Sequence, residues 1–131
     1  VNVGFGYSYV LPVIVGTLFA EKGCVVIVEN TEAHLHPGAQ SRLMEFLIEQ
    51  SIQRDLQLII ETHSDHVVNG MRISMKKGVL KPSDGIIQHF AYPENGLAPE
   101  ITRIICDSNG NLSDYPDDFQ DEWTAQMLEL V

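Results

Sequence analysis

Residues 25–30 read Val25-Val26-Ile27-Val28-Glu29-Asn30, and residues 58–63 read Leu58-Ile59-Ile60-Glu61-Thr62-His63. Each is a short apolar run that ends abruptly in polar side chains. Runs without apolar–polar alternation suit strands covered on both faces, as in a parallel sheet. The expected strands are Cys24–Val28 and Leu56–Ile60. Between them Pro37 opens a helical stretch at a first-turn position. Leu43, Phe46, Leu47 and Ile48 supply its apolar face, with Arg42, Glu45 and Glu49 outside. After the second run, Ser64 is placed to cap a helix from Asp65 to about Lys77, which Gly78 ends. Upstream, Val10 to Ala20 is apolar almost all round, the pattern of a buried helix stopped by Gly23. Pro12 is expected in its first turn, where a missing N–H does no harm. Helix, strand, helix, strand, helix is the rhythm of an α/β fold with a parallel sheet.

The character changes after Pro82. Ile86 to Tyr92 and Glu100 to Cys106 suit two strands, and the four residues Pro93-Glu94-Asn95-Gly96 between them suit a hairpin turn. Asp107 to Asn111 is another turn. The end, with Trp123, Met127, Leu128 and Leu130 among acids, is expected to form a short terminal helix. Two units are therefore expected, 1–82 and 83–131. The chain of 131 residues is too short for two ordinary domains, so the second must be small.

Composition narrows the function classes. A hydrophobic fraction of 44% with 20% charged residues belongs to a folded protein, not a disordered one. Eight Lys+Arg against 18 Asp+Glu give a net charge of −10, which argues against a general binder of phosphate backbones. Arg72, Lys76, Lys77 and Lys81 form a local basic cluster that could touch nucleic acid; a solvated helix end facing its own dipole is the plainer reading. Cys24 and Cys106 sit in apolar runs and read as two buried free thiols in a reducing cytoplasm. No apolar run approaches the ~20 residues of a membrane span. Val1-Asn2-Val3-Gly4 lacks the features of a signal peptide, and a chain that starts mid-pattern is expected to be a piece of a longer protein.

Three motifs carry chemistry. Gly4-Phe5-Gly6-Tyr7-Ser8 precedes the first helix, where glycines permit close backbone approach and helix-start N–H groups favour an anion. Glu29 ends the first strand, where an open α/β sheet places its ligand crevice and where a carboxylate can hold Mg²⁺. His63 ends the second. Parallel strands would bring Glu29, Asn30, Glu61 and His63 to one sheet edge.

With these motifs in this order, the chain resembles the C-terminal part of an ABC-type ATPase head of the SMC-like, DNA-repair and OLD-family kind. It resembles more closely bacterial AAA-type ATPases that end in a small C-terminal domain of unknown function. VGFGYSYVLPVIVG is similar to their signature motif, VIVENTEAHLHP to their Walker B and D-loop, and ETHSDHVVN to their switch-histidine segment. The ending DSNGNLSDYPDDF resembles the small domain. The resemblance implies the C-terminal half of a P-loop NTPase sheet with flanking helices, plus a hairpin and a terminal helix. It implies that Glu29 holds the Mg²⁺ of Mg-ATP and that His63 senses the γ-phosphate. Gly4, Gly6 and Ser8 would contact the nucleotide held by a second subunit, and Ala33 to His36 would lie at that subunit interface. The implied cofactors are ATP and Mg²⁺, and the implied assembly is a head-to-head homodimer.

Two departures stand out. Asn30 occupies the position where a water-activating glutamate is common, and a carboxamide cannot act as a base; Glu32 or Glu61 would have to take that task. Tyr9 stands where glutamine is common. No GxxxxGK[ST] phosphate cradle occurs in these 131 residues, so the P-loop is expected in a preceding region and the chain alone should be inactive. The expected function is ATP hydrolysis by the parent protein, compatible with DNA repair, phage defence or toxin regulation, with DNA or a partner protein as its target. The alternatives are a nucleotide-gated clamp with little hydrolysis and, from another class, a metal-dependent hydrolase built on His34, His36, His63 and His66 with nearby carboxylates.

Overall fold

The computed structural model describes residues 5–92, 96, 98–116 and 119. Five elements build the first part: helix α1 (Phe5–Phe19), strand β1 (Val25–Val28), helix α2 (Pro37–Arg54), strand β2 (Gln57–Ile60) and helix α3 (Asp65–Lys76). A single 3-10 turn (Pro82–Asp84) leads to the antiparallel pair β3 (Ile87–Ala91) and β4 (Glu100–Ile104). The α/β class expected from the sequence is the one observed. The turn at 93–95 and the expected terminal helix around Trp123 lie outside the described residues.

β1 and β2 pair parallel, from Val25 opposite Gln57 to Val28 opposite Ile60. Their side chains alternate. Val26, Val28, Leu58 and Ile60 are covered, whereas Val25, Ile27 and Ile59 are exposed. Covering on both faces is therefore not observed: Ile27 is 65% exposed. The apolar runs suit strands covered on both sides, but among the described residues the helices packed beside β1 and β2 cover one side only.

α1 departs from expectation in the same way. Already helical at Phe5, it places Pro12 in its interior, where the proline ring removes the N–H that would bond the Ser8 carbonyl. It is not buried. Phe19 is 81% exposed and Leu11 60%, while Thr17 is fully sealed with its hydroxyl donated to the Val13 carbonyl. α1 lies against β1 and α2 along one side, and its other side has no neighbouring layer among the described residues. Gly23 sits beyond the helix in a turn at φ +82°, where a side chain would be strained.

α2 and α3 form the main helix pair. His36 caps α2, its Nδ1 accepting the Gly38 N–H at 3.3 Å, and Pro37 takes the first helical position. Leu43, Leu47 and Ile48 are buried and Phe46 is partly so. Ser64 caps α3 by accepting the His66 N–H. One cluster of Ile48, Met71, Met75, Leu80, Ile104, Cys106, Leu112 and Phe119 forms the core and draws on residues either side of Pro82.

The thiols differ. Cys106 is buried, and burial pushes its pKa up, whereas Cys24 is exposed at the strand entrance. Both are free. The basic cluster is partly consumed. Arg72 donates to the Gly110 carbonyl, to Asn69 Oδ1 and to the Tyr115 hydroxyl, and Lys77 pairs with Glu45. Arg72 thus ties α3 to the turn after β4 instead of ending in solvent.

Close approach of the helix pair depends on Gly70. A Cβ there would lie 2.7 Å from the Ser41 carbonyl oxygen and 2.8 Å from Met44 Cβ. Neither the main chain nor a Cβ can swing away, so Gly70→Ala should destabilise the fold by about 1–3 kcal/mol. Urea titration should show a lower midpoint at an unchanged slope.

Candidate nucleotide-site edge

The parallel ladder runs one step past the strands. The Glu61 N–H donates to the Val28 carbonyl at 2.9 Å, and the buried Thr31 hydroxyl reaches the Glu61 carbonyl at 3.5 Å. Glu29, Asn30, Glu61 and His63 consequently leave the sheet at the same end, and all four are exposed. The juxtaposition expected from the sequence is present.

The segment after β1 folds back at once. Asn30 adopts φ +51°, a left-handed conformation that asparagine tolerates better than most residues, and its carbonyl accepts the Ala33 N–H at 3.0 Å. Glu32 follows with a second turn to Leu35, and His34 is also left-handed at φ +59°. This double turn aims the Glu32 side chain at the segment after β2. Its Oε2 accepts the Thr62 hydroxyl at 2.6 Å and its Oε1 accepts the His63 N–H at 2.9 Å. Burial alone would raise the Glu32 pKa. The Thr62 hydroxyl, the His63 N–H, the residue's own N–H and the nearby His63 imidazole outweigh burial and hold it below the ordinary glutamate value.

This bears on the suggestion that Glu32 serves as a base in place of Asn30. A carboxylate already accepting two hydrogen bonds, with its pKa held down, is a weak proton acceptor. Its observed engagement is a clasp between two loops. Among the described residues, the carboxylates of Glu29 and Glu61 make no side-chain hydrogen bond or ion pair and remain open to solvent.

Further bonds that sequence reasoning missed complete the clasp. Gln40, in the first turn of α2, donates its Nε2 to the Leu35 carbonyl at 2.9 Å and to the Glu32 carbonyl at 3.4 Å; its Oε1 accepts the Ser64 hydroxyl. The Ser64 N–H donates to Thr62 Oγ1, and Ser41 Oγ donates to the His66 carbonyl at 2.7 Å. The local cues were single polar residues at two helix starts, Gln40 and Ser41 in α2 and Ser64 before α3.

The glycine-rich segment meets the same turn. A Cβ on Gly6 would lie 2.8 Å from the His34 carbonyl oxygen, so the first turn of α1 rests directly on that backbone. The Tyr9 and His34 rings lie 4.6 Å apart between centroids. Gly6 and the His34 turn are therefore neighbours, Ser8 is exposed, and Gly4 lies outside the described residues. His36, expected at a subunit interface, spends its Nδ1 on the α2 cap. Among the described residues no three of His, Cys, Asp and Glu come together to hold a metal ion, which removes the support for the histidine metal centre. A cleft of about 410 Å³ lies beside the hairpin, lined by Pro82, Ser83, Asp84, Arg103 and Ile105 among others, and shares no residue with the sheet edge.

The clasp makes a pH-dependent contribution. Because the folded Glu32 pKa lies below its unfolded value, the stabilisation is complete above the ordinary glutamate range and is lost as pH falls through the folded value. At a half-exposed, screened site it is worth about 1 kcal/mol. Glu32→Gln should lower the thermal midpoint at pH 7, and the gap to wild type should close as the buffer is taken to acid pH.

A family model described as AAA domain, putative AbiEii toxin, Type IV TA system matches residues 1–69. A second, described as a protein of unknown function, DUF3696, matches residues 81–130. No curated protein and no solved structure matches the chain. Among the described residues no helix is long and apolar enough to cross a membrane. The first match spans more than half of the chain and contains the Gly6 turn, the Glu29–Asn30 edge, the Glu32 clasp and His63. On that match the chain belongs to the family of AAA domains described as putative AbiEii toxin, Type IV TA system, and is an ATPase-related protein.

Proposed function

We propose that the chain forms the Walker B and switch-histidine half of an ABC-type ATPase domain, completed by a P-loop-bearing region outside these residues. The observation that carries this reading is the shared edge: two parallel strands in register bring Glu29, Asn30, Glu61 and His63 to one end of the sheet. That end is where open α/β sheets bind ligands. The donors there are carboxylate and carboxamide oxygens, which suit a hard cation such as Mg²⁺. Bound Mg-ATP would supply the phosphoryl group that water attacks and the charge neutralisation that attack requires.

The chain's own residues then divide the work. Glu29 is the proposed Mg²⁺ ligand, since its carboxylate is open to solvent. His63 is the proposed phosphate contact, with its main chain held by Glu32. Asn30 can orient a water but cannot take its proton. Glu61, exposed at the same edge, is the proposed proton acceptor. Gly6 and Ser8, at the start of α1, are proposed to face the nucleotide of a second subunit in a head-to-head dimer. The bare apolar face of Val25, Ile27 and Ile59, together with an α1 that carries no charge, supports docking of the P-loop region there. DNA repair, phage defence and a toxin–antitoxin role of the kind named in the family description all fit such a motor, with DNA or a partner protein as its target. Cytoplasmic placement is part of the same proposal.

Asn30 also favours a second reading, a clamp that closes on ATP and opens slowly without turnover. Substitutions in the protein that carries the P-loop separate the two. Glu29→Gln should abolish phosphate release. Asn30→Glu should raise it on the ATPase reading, and release that stays at zero in both wild type and Asn30→Glu marks the clamp. The present chain lacks a phosphate cradle, so calorimetric titration with Mg-ATP should give no submicromolar binding. Tight binding by this chain alone would show that the nucleotide site is misplaced.

A further inference from the structure

Gln40 stands outside both polar segments of the edge and bonds to each. Its amide N–H groups donate to the Leu35 and Glu32 carbonyls, in the segment that follows Glu29 and Asn30. Its amide oxygen accepts the hydroxyl of Ser64, the residue after His63. Both segments are loops, buried at Thr31, partly buried at Glu32, Thr62 and Ser64, and exposed at Asn30, His34 and His63. The one after β1 contains two left-handed residues, Asn30 and His34, a conformation uncommon outside glycine.

The polarity of the contact is specific. Two carbonyls converge on the NH₂ end and one hydroxyl on the oxygen end, so only a carboxamide of this length satisfies all three. α2, which carries Gln40, is anchored at its start by the His36 cap and by the Ser41–His66 bond. The carboxamide therefore extends from a fixed helix and not from a third loop.

We infer that Gln40 is a positioning residue of this edge: its carboxamide sets the placement of the Glu29–Glu32 segment relative to His63, and so the spacing between the cation end and the phosphate-contact end of the site. The functional half of this inference rests on the proposed ATPase reading; the structural half rests on the hydrogen bonds alone.

The two halves are tested separately. Gln40→Met keeps the length and removes all three bonds. Gln40→Glu keeps the acceptor and turns a carboxylate oxygen toward two carbonyls. In the full chain, amide hydrogen exchange should speed up about tenfold at His63 and Ser64 in Gln40→Met. Exchange at Glu61, whose N–H belongs to the strand ladder, should stay at its wild-type rate. If Gln40→Glu fails to fold, Gln40→Met decides. In the protein that carries the P-loop, Gln40→Met should lower kcat for ATP about tenfold with KM changed less than about threefold. A residue that merely stabilised the fold would shift the unfolding midpoint and leave that split absent. Unchanged exchange at His63 and Ser64 overturns the structural half, and an unchanged kcat in Gln40→Met overturns the functional half. A wild type without turnover would sink the ATPase reading, while the exchange comparison still decides the coupling.

Discussion

Two four-residue strands lying parallel and in register are the constraint on which the rest of this structure depends. A slip of one residue in either strand would turn that strand's covered pair, Val26 and Val28 or Leu58 and Ile60, outward and move Glu29 and His63 out of step. The register is held at the strand ends by backbone and side chain together. The Glu61 N–H extends the ladder, Thr31 reaches across to the Glu61 carbonyl, and the Glu32 carboxylate takes the next two donors. The two loops are thereby built as one polar layer above a short apolar sheet.

Within that layer the acids fall into two kinds. Glu32 is satisfied by protein donors and held ionised. Glu29 and Glu61 keep their carboxylates in water. The chain has a net charge of −10, and these two acids leave the sheet at the same end, their carboxylates without a protein partner among the described residues. A satisfied carboxylate can hold a loop in place, whereas an unsatisfied one can bind something new.

Much of this was legible in the sequence, because the cues were local. Continuous β-branched runs marked β1 and β2, Pro37 and Ser64 marked two helix starts, and the change after Pro82 marked the hairpin. The observed bounds of the four strands fall within two residues of expectation. What failed to show was anything set by a distant neighbour. An apolar helix and an apolar strand face read as buried whether or not a covering layer is at hand, so α1, Ile27 and Cys24 were placed inside. Pro12 read as a first-turn residue because no apolar periodicity marked the helix upstream of Val10. The engagement of Arg72 with Gly110 and of Gln40 with Ser64 spans 38 and 24 residues, and no spacing rule reaches that far.

The shared core has a consequence for how this chain unfolds. Ile48, Met71 and Met75 pack with Ile104, Cys106, Leu112 and Phe119, and Arg72 fastens the Gly110 turn to α3. Among the described residues, the apolar side chains after Pro82 and those of α2 and α3 pack into one interior. Removing the residues after Pro82 would uncover Ile48, Met71 and Met75 to water. The described parts on the two sides of Pro82 are therefore expected to unfold in one cooperative transition.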